Sequence, residues 1–187
     1  MNGNIKNKFN VDAGAKAGAP ADYGLGFATY WEFTARDPEG NVKWTESVKN
    51  IIVNTGLNDI LDKYYKGSSY TAAFYVGLTD GTPTPNAADT MSSHGGWTEV
   101  EAYDEATREA LTLGTVSSQS VDNSASKAQF TIDTNSTTIG GGFLTTDSTI
   151  GGTSGTLIGV AAFTAGDKSL DDNDTLDVTV TLTASAS

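Results

Sequence analysis

The segment from Leu176 to Thr183 alternates apolar and polar side chains without a break. Its apolar members, which would all face one side, are Leu176, Val178, Val180 and Leu182. A repeat of two residues is that of an extended strand with one buried face. Shorter segments with the same repeat recur along the chain, and the sum predicts about eight strands. We therefore expect a mainly β fold, a β-sandwich or jelly-roll-like barrel.

A β-hairpin is predicted at the start of this domain. Its first strand runs from Phe27 to Asp37, and its buried face would consist of Trp31, Phe33 and Ala35. The sequence Asp-Pro-Glu-Gly at positions 37–40 fits a type I turn, because proline pre-sets φ at the second position and glycine suits the fourth. The return strand would carry Val42, Trp44 and Val48.

Other strands are predicted around residues 74–78, 128–132 and 157–163. The last of these is an almost continuous apolar run, which is typical of a strand buried on both faces. Three consecutive glycines, Gly140 to Gly142, are followed by neither a Lys-Ser/Thr pair nor a helical pattern, so they do not form a phosphate-binding loop. They predict bulges or points of close backbone approach.

One short helix is predicted after the hairpin. The apolar residues that recur at helical spacing are Leu57, Ile60, Leu61, Tyr64 and Tyr65. Asn54 or Thr55 can cap its start and Gly67 can end it. We expect this helix to lie across the sheet with its apolar face buried.

The charge of the chain limits its partners. With 187 residues the chain fits one domain, or one domain plus an arm, and its formal net charge of -12 disfavours nucleic-acid binding. It has no cysteine, so disulfides and thiolate metal sites are excluded. No apolar run approaches the roughly 18 residues of a membrane span, and the N-terminus lacks the apolar stretch of a secretion signal, so synthesis in a cytoplasm is expected.

Residues 1–25 differ in character from the predicted domain at 26–187. This segment is slightly basic, since three lysines oppose Asp12 and Asp22, and it is rich in glycine, alanine and asparagine. It is either a disordered tail or an extended arm held by a neighbouring subunit. In the second case its partner-binding residues would be Lys6, Lys8, Phe9, Val11 and Lys16.

A long polar excursion from Thr79 to Gly96 interrupts the strand pattern. It exceeds an ordinary hairpin loop, and such loops either bind partners or pack on themselves as Ω-loops. As a contact surface, it would use Pro83, Pro85, Met91, His94 and the adjacent Trp97.

None of the polar clusters predicts catalysis or metal binding. Glu99 and Glu101 would share the solvent-facing side of a strand, which argues against a glycosidase carboxylate pair. His94, the only histidine, fits no known nucleophile motif and is expected to pack near Trp97. The acidic run from Asp171 to Asp174 lacks calcium-loop spacing and predicts a polar hairpin turn. We therefore expect no enzyme activity, metal or cofactor.

Three segments, at residues 50–65, 75–107 and 120–132, are similar in sequence to a known protein family. The last of them reads SVDNSASKAQFTI. Together they resemble virion structural proteins of tailed bacteriophages, of the head-decoration (capsid cement) kind. The resemblance implies a non-enzymatic protein that binds the outside of the capsid, contacts the major capsid protein and stabilises adjoining subunits. It also implies self-association, often as a trimer, and no contact with nucleic acid or membrane.

Two alternatives to decoration follow from the same sequence. One is a tail or fibre component that adheres to the host by binding carbohydrate, with Trp97, Tyr103 and Tyr70 stacking on sugars. The other is a virion hydrolase, for which the sequence offers no motif. Copy number in the particle separates decoration from a tail position.

Overall fold

A computed structural model describes residues 25–70 and 72–186. Strands make up 44% of the structure and helix 8%, and the main sheet curls into a half-barrel. The predicted fold class, a mainly β barrel-like fold with one short helix, is therefore confirmed. Residues 1–24 of the predicted arm lie outside the described residues.

The structure contains eleven strands among the described residues, more than predicted because several are only two or three residues long. They are β1 (Leu25–Arg36), β2 (Val42–Ile52), β3 (Tyr75–Thr79), β4 (Glu109–Ala110), β5 (Ser120–Asp122), β6 (Ala128–Thr131), β7 (Thr137–Ile139), β8 (Gly141–Thr145), β9 (Leu157–Ala162), β10 (Lys168–Leu170) and β11 (Thr175–Ala186). Helix α1 (Asn54–Ile60) continues as a π-helical turn, Leu61–Tyr65.

The main sheet has the strand order β4-β3-β8-β9-β2-β1-β11-β5, and β6 also pairs with β11. All neighbouring strands are antiparallel. Strands β7 and β10 form a separate two-stranded sheet. The chain thus places its first and last strands, β1 and β11, side by side near one end of the curled sheet.

The predicted alternation in β1 and β11 builds the centre of the core. Phe33 lies opposite Val178 and Trp31 opposite Val180, and all four side chains are buried. Each such side chain contributes roughly 1.5–3 kcal/mol when removed from water. The turn that ends β1 also matches its prediction, because the Gly40 amide donates a hydrogen bond of 2.9 Å to the Asp37 carbonyl.

The prediction that the apolar face of the helix is buried is wrong for its second half. Leu61, Tyr64 and Tyr65 are 56%, 81% and 64% exposed. The wider π-helical turn, closed by a 3.0 Å bond from the Lys66 amide to the Leu61 carbonyl, rotates these side chains away from the sheet. Gly56 makes the close approach instead, since a Cβ there would lie 2.6 Å from the carbonyl oxygen of Ile158 in β9.

Candidate interaction surface

An apolar groove of about 330 Å³ opens at one end of the curled sheet, beside helix α1. The residues that form its floor and walls are Ile52, Ile60, Phe74, Leu144, Ile158 and Leu182. They come from β2, α1, β8, β9, β11 and the segment that precedes β3. The groove is deep, because Leu144 and Ile158 are themselves only 2% and 6% exposed.

The rim of the groove has a single charged side chain among the described residues, that of Asp59. Phe27 and Ala28, at the start of β1, line one side. Val116, which is 70% exposed, lines another. An apolar groove with exposed apolar side chains at its lip is characteristic of a binding site for apolar groups.

Four exposed apolar or aromatic side chains lie on or just after the helix that borders this groove. They are Leu61, Tyr64, Tyr65 and Tyr70. The rings of Tyr64 and Tyr65 meet edge to face at 5.1 Å, and the Tyr70 ring lies 6.4 Å from Phe74 in the groove wall. We call the groove and these four residues the apolar end surface.

The apolar end surface is unusual for a chain of this charge. Single exposed apolar residues are normal in soluble proteins, but an apolar groove with several exposed aromatic side chains on the neighbouring helix is typical of a contact site. Two of its tyrosines, Tyr64 and Tyr65, follow each other on one helical turn, so they present a rigid aromatic pair. Tyrosine of this kind is a frequent anchor of protein interfaces.

The predicted contact loop, Thr79–Gly96, packs against its own domain. Met91 and Trp97 are 4% and 7% exposed, and both belong to a small core cluster with Phe143. Pro83 is also buried. These three side chains therefore do not face a partner, which corrects their assignment as contact residues, while half-buried Pro85 and His94 retain accessible surface.

His94 stacks on Trp97, with ring centroids 3.6 Å apart and an angle of 9° between the planes. This confirms the predicted packing. Burial lowers the pKa of the imidazole below its ordinary value, and the nearby carboxylate of Asp89 opposes this shift only in part. His94 is therefore neutral near pH 7, and its Nδ1 has no hydrogen-bond partner among the described residues.

The sequence did not indicate the most highly connected charged group, Arg108. Its side chain is fully buried and its guanidinium donates hydrogen bonds of 2.7 Å to both carboxylate oxygens of Glu99. It also donates to the carbonyl oxygens of Asp147 at 2.8 Å and Gly152 at 2.7 Å. The predicted solvent exposure of Glu99 is thus wrong, because this carboxylate is the counter-ion of Arg108, whereas Glu101 is exposed as expected.

Arg108 and Glu99 fix the chain just after the long excursion to the segment that follows β8. The guanidinium carbon lies 5.1 Å from the centroid of Phe143, the ring that also stacks on Trp97 at 5.0 Å. The Gly151 amide donates a further bond of 2.8 Å to Glu99. A buried ion with its donors and acceptors matched in this way holds a loop in one conformation.

The acidic run near the C-terminus forms the predicted turn between β10 and β11. The Asp171 amide donates a 2.7 Å bond to the Asp174 carboxylate, and Lys43 forms ion pairs with both aspartates. The lysine ammonium thus lies between these two carboxylates and offsets one of their two negative charges. No group of three potential metal ligands occurs among the described residues.

Two groups of predicted residues remain, those of the N-terminal arm and the aromatic residues proposed to bind sugars. The five arm residues named above, Lys6, Lys8, Phe9, Val11 and Lys16, lie outside the described residues. Of the three aromatics proposed to stack on sugars, Trp97 and Tyr103 are buried and only Tyr70 is exposed. Within residues 25–70 and 72–186, no helix has the length and apolarity to cross a bilayer.

The chain was also compared with known proteins. No protein-family model, curated protein or solved structure matches it. The features of the chain that bear on its function are therefore the apolar end surface and the sequence resemblance to head-decoration proteins.

Proposed function

We propose that this protein is a non-enzymatic capsid decoration protein, which binds the outer surface of a bacteriophage head and stabilises contacts between capsid subunits. The observation that carries this proposal is the apolar end surface on an otherwise acidic domain. Such a surface fits a protein partner better than a nucleic acid, whose phosphates the net charge of -12 would repel. The resemblance to head-decoration proteins supports the same class of partner.

In the proposed mechanism, many copies each bind weakly to the repeating surface of the shell, and no single contact has to be tight. Each copy would place Tyr64 and Tyr65 against the major capsid protein and bury a modest apolar area. Self-association, in the family often as a trimer, would make the second and third contacts intramolecular and raise the overall affinity. A rigid β-domain suits this role, because little conformational entropy is lost when it binds.

Stoichiometry in purified virions tests the proposal. We expect a copy number close to that of the major capsid protein, measured by quantitative mass spectrometry of purified particles. A copy number of a few per cent or less would place the protein in the tail and contradict decoration. Absence from the particle would contradict every virion function.

The alternative function is host adhesion through carbohydrate binding on a tail or fibre. Tyr64, Tyr65 and Tyr70 are exposed aromatics that could stack on sugar rings, whereas Trp97 and Tyr103 are buried. Specific signals on a glycan array, lost on substitution of Tyr70, would favour adhesion. An array without signals would favour decoration.

A further inference from the structure

We propose that the groove at the end of the sheet is the docking site of the chain's own N-terminal segment, residues 1–24. In this arrangement the segment binds in an extended conformation, with Phe9 and Val11 inside the groove. The segment would then fill the groove in the free protein, and the four exposed residues of the apolar end surface outside the groove, Leu61, Tyr64, Tyr65 and Tyr70, would remain for the external partner.

The point at which the segment joins the domain supports this assignment. Strand β1 begins at Leu25, and Phe27 and Ala28 already line the groove. The segment therefore joins the fold beside the site that it would fill. Val11 precedes Leu25 by 14 positions (25 − 11), which can span up to ~50 Å, so the tether is long enough to turn back into the groove.

The sequence of the segment has the pattern that such binding requires. Its larger side chains at Ile5, Phe9 and Val11 occupy odd positions, as do the five alanines from 13 to 21. All three lysines occupy even positions. In an extended chain these two sets face opposite sides, so the apolar set can enter the groove while the lysines face solvent or an external partner.

The same parity continues into β1. The inward-facing residues in the centre of this strand, Trp31, Phe33 and Ala35, are also odd-numbered, and at its start Phe27 lines the groove together with its neighbour Ala28. The segment thus repeats the apolar-in, polar-out pattern of the strand that follows it. A polar tail without a binding role would not be expected to place its apolar residues at alternate positions.

Charge favours the chain's own segment over that of a second copy. Residues 1–24 carry three lysines and two aspartates, a net of +1, which leaves -13 for the rest of the -12 chain. The positive segment is therefore attracted to its own domain, and the groove's charged rim residue, Asp59, is acidic. Two whole copies, each at -12, repel each other unless a specific interface offsets the repulsion, whereas a tethered segment has an effective concentration on the order of millimolar.

Disulfide cross-linking in the full chain tests this proposal, because the natural sequence contains no cysteine. The test variant carries Val11→Cys and Val116→Cys, the second at a 70% exposed position on the groove rim. The control variant carries Val11→Cys and Tyr30→Cys. Tyr30 is 44% exposed and is not among the residues that line the groove. Both sites are accessible, so the substitutions leave the core unchanged.

We expect the groove pair to form an intrachain disulfide about tenfold faster than the control pair under mild oxidation. Adding Phe9→Ser should reduce this rate to that of the control, because the segment then loses its larger apolar anchor. Equal rates for the two pairs would overturn the proposal and leave the groove for a different ligand or partner. A disulfide-linked dimer as the main product would overturn it as well, since the groove would then receive the segment of a second copy. The measurement involves no virions, so its result is separate from the test of decoration.

Discussion

Arg108 and Glu99 form a two-point ion pair in the interior, with the Nε and Nη2 atoms of the guanidinium each 2.7 Å from a carboxylate oxygen. The Arg108 side chain has no exposed surface and that of Glu99 is 8% exposed. Planar guanidinium and carboxylate groups match each other in this geometry, which lysine cannot reproduce. The pair therefore connects the chain that follows the long excursion to the segment between β8 and β9, whose carbonyl groups Arg108 also binds.

The variant Arg108→Met should lose about 3–5 kcal/mol of unfolding free energy, because it leaves the Glu99 carboxylate buried without a counter-ion. Urea denaturation followed by circular dichroism measures this loss. The double variant Arg108→Met/Glu99→Leu should recover part of the loss, since no uncompensated charge remains.

A matched control is the pair of Arg36 and Asp177, whose side chains are 36% and 15% exposed and whose charged atoms lie 3.9 Å apart. Arg36→Met should cost less than about 1 kcal/mol. Similar losses for the two arginine variants would show that Arg108 has no special structural role.

Glu46 provides a pH-dependent part of the stability. Burial raises the pKa of this carboxyl, but hydrogen bonds from the Thr164 amide and hydroxyl and the charge of Lys168 outweigh it, so the net pKa lies below the ordinary value of 4.5. A depressed folded pKa stabilises the protein above the unfolded value. This stabilisation is lost as the pH falls through the folded pKa.

Glu46→Gln should therefore cost about 1–2 kcal/mol at pH 7. The difference from the natural protein should shrink towards zero as the pH falls below 4.5, because protonation removes the charge from the natural side chain too. Unfolding free energies at pH 7 and pH 3 measure it, with exposed Glu32→Gln as the control. A difference that is the same at both pH values would contradict this account.

The strands could be predicted from the sequence because their signal is local. The alternation of apolar and polar residues in β1 and β11 indicates which side of each strand is buried. The turn at positions 37–40 indicates that β1 and β2 are adjacent. The close approach expected of the glycine run is also present, since a Cβ on Gly140 would lie 1.9 Å from the carbonyl carbon of Gly81.

The candidate surface could not be predicted in the same way. The spacing of Leu61, Tyr64 and Tyr65 is that of one face of an α-helix. It does not indicate the π-helical turn, which exposes all three side chains. Arg108 and Glu99 are residue types that are rarely buried, so they read as surface charges. Their pairing depends on the carbonyl groups of Asp147 and Gly152, which only the fold brings near.

Gly140→Ala should be strongly destabilising. The new methyl group would meet the backbone of Gly81 and Thr82 at 1.9 and 2.1 Å, and backbone cannot move aside as a side chain can. We expect a loss of about 3 kcal/mol or more in urea denaturation. Gly95→Ala is the matched control, because no heavy atom lies within 4 Å of its Cβ position. Equal stability of the two variants would show that the backbone of Gly81 and Thr82 does not pack closely against Gly140.

The exposed tyrosine pair should matter for binding and not for folding. Tyr64→Ser/Tyr65→Ser replaces side chains that are 81% and 64% exposed, so its unfolding free energy should stay within about 0.5 kcal/mol of the natural value. Binding to capsid shells that lack this protein should weaken by at least tenfold, since aromatic anchors dominate interface energies. Co-sedimentation with such shells measures the change. Tyr30→Ser, which removes an exposed tyrosine from the far side of β1, should bind like the natural protein. If the double variant also binds like the natural protein, the apolar end surface is not the contact with the shell.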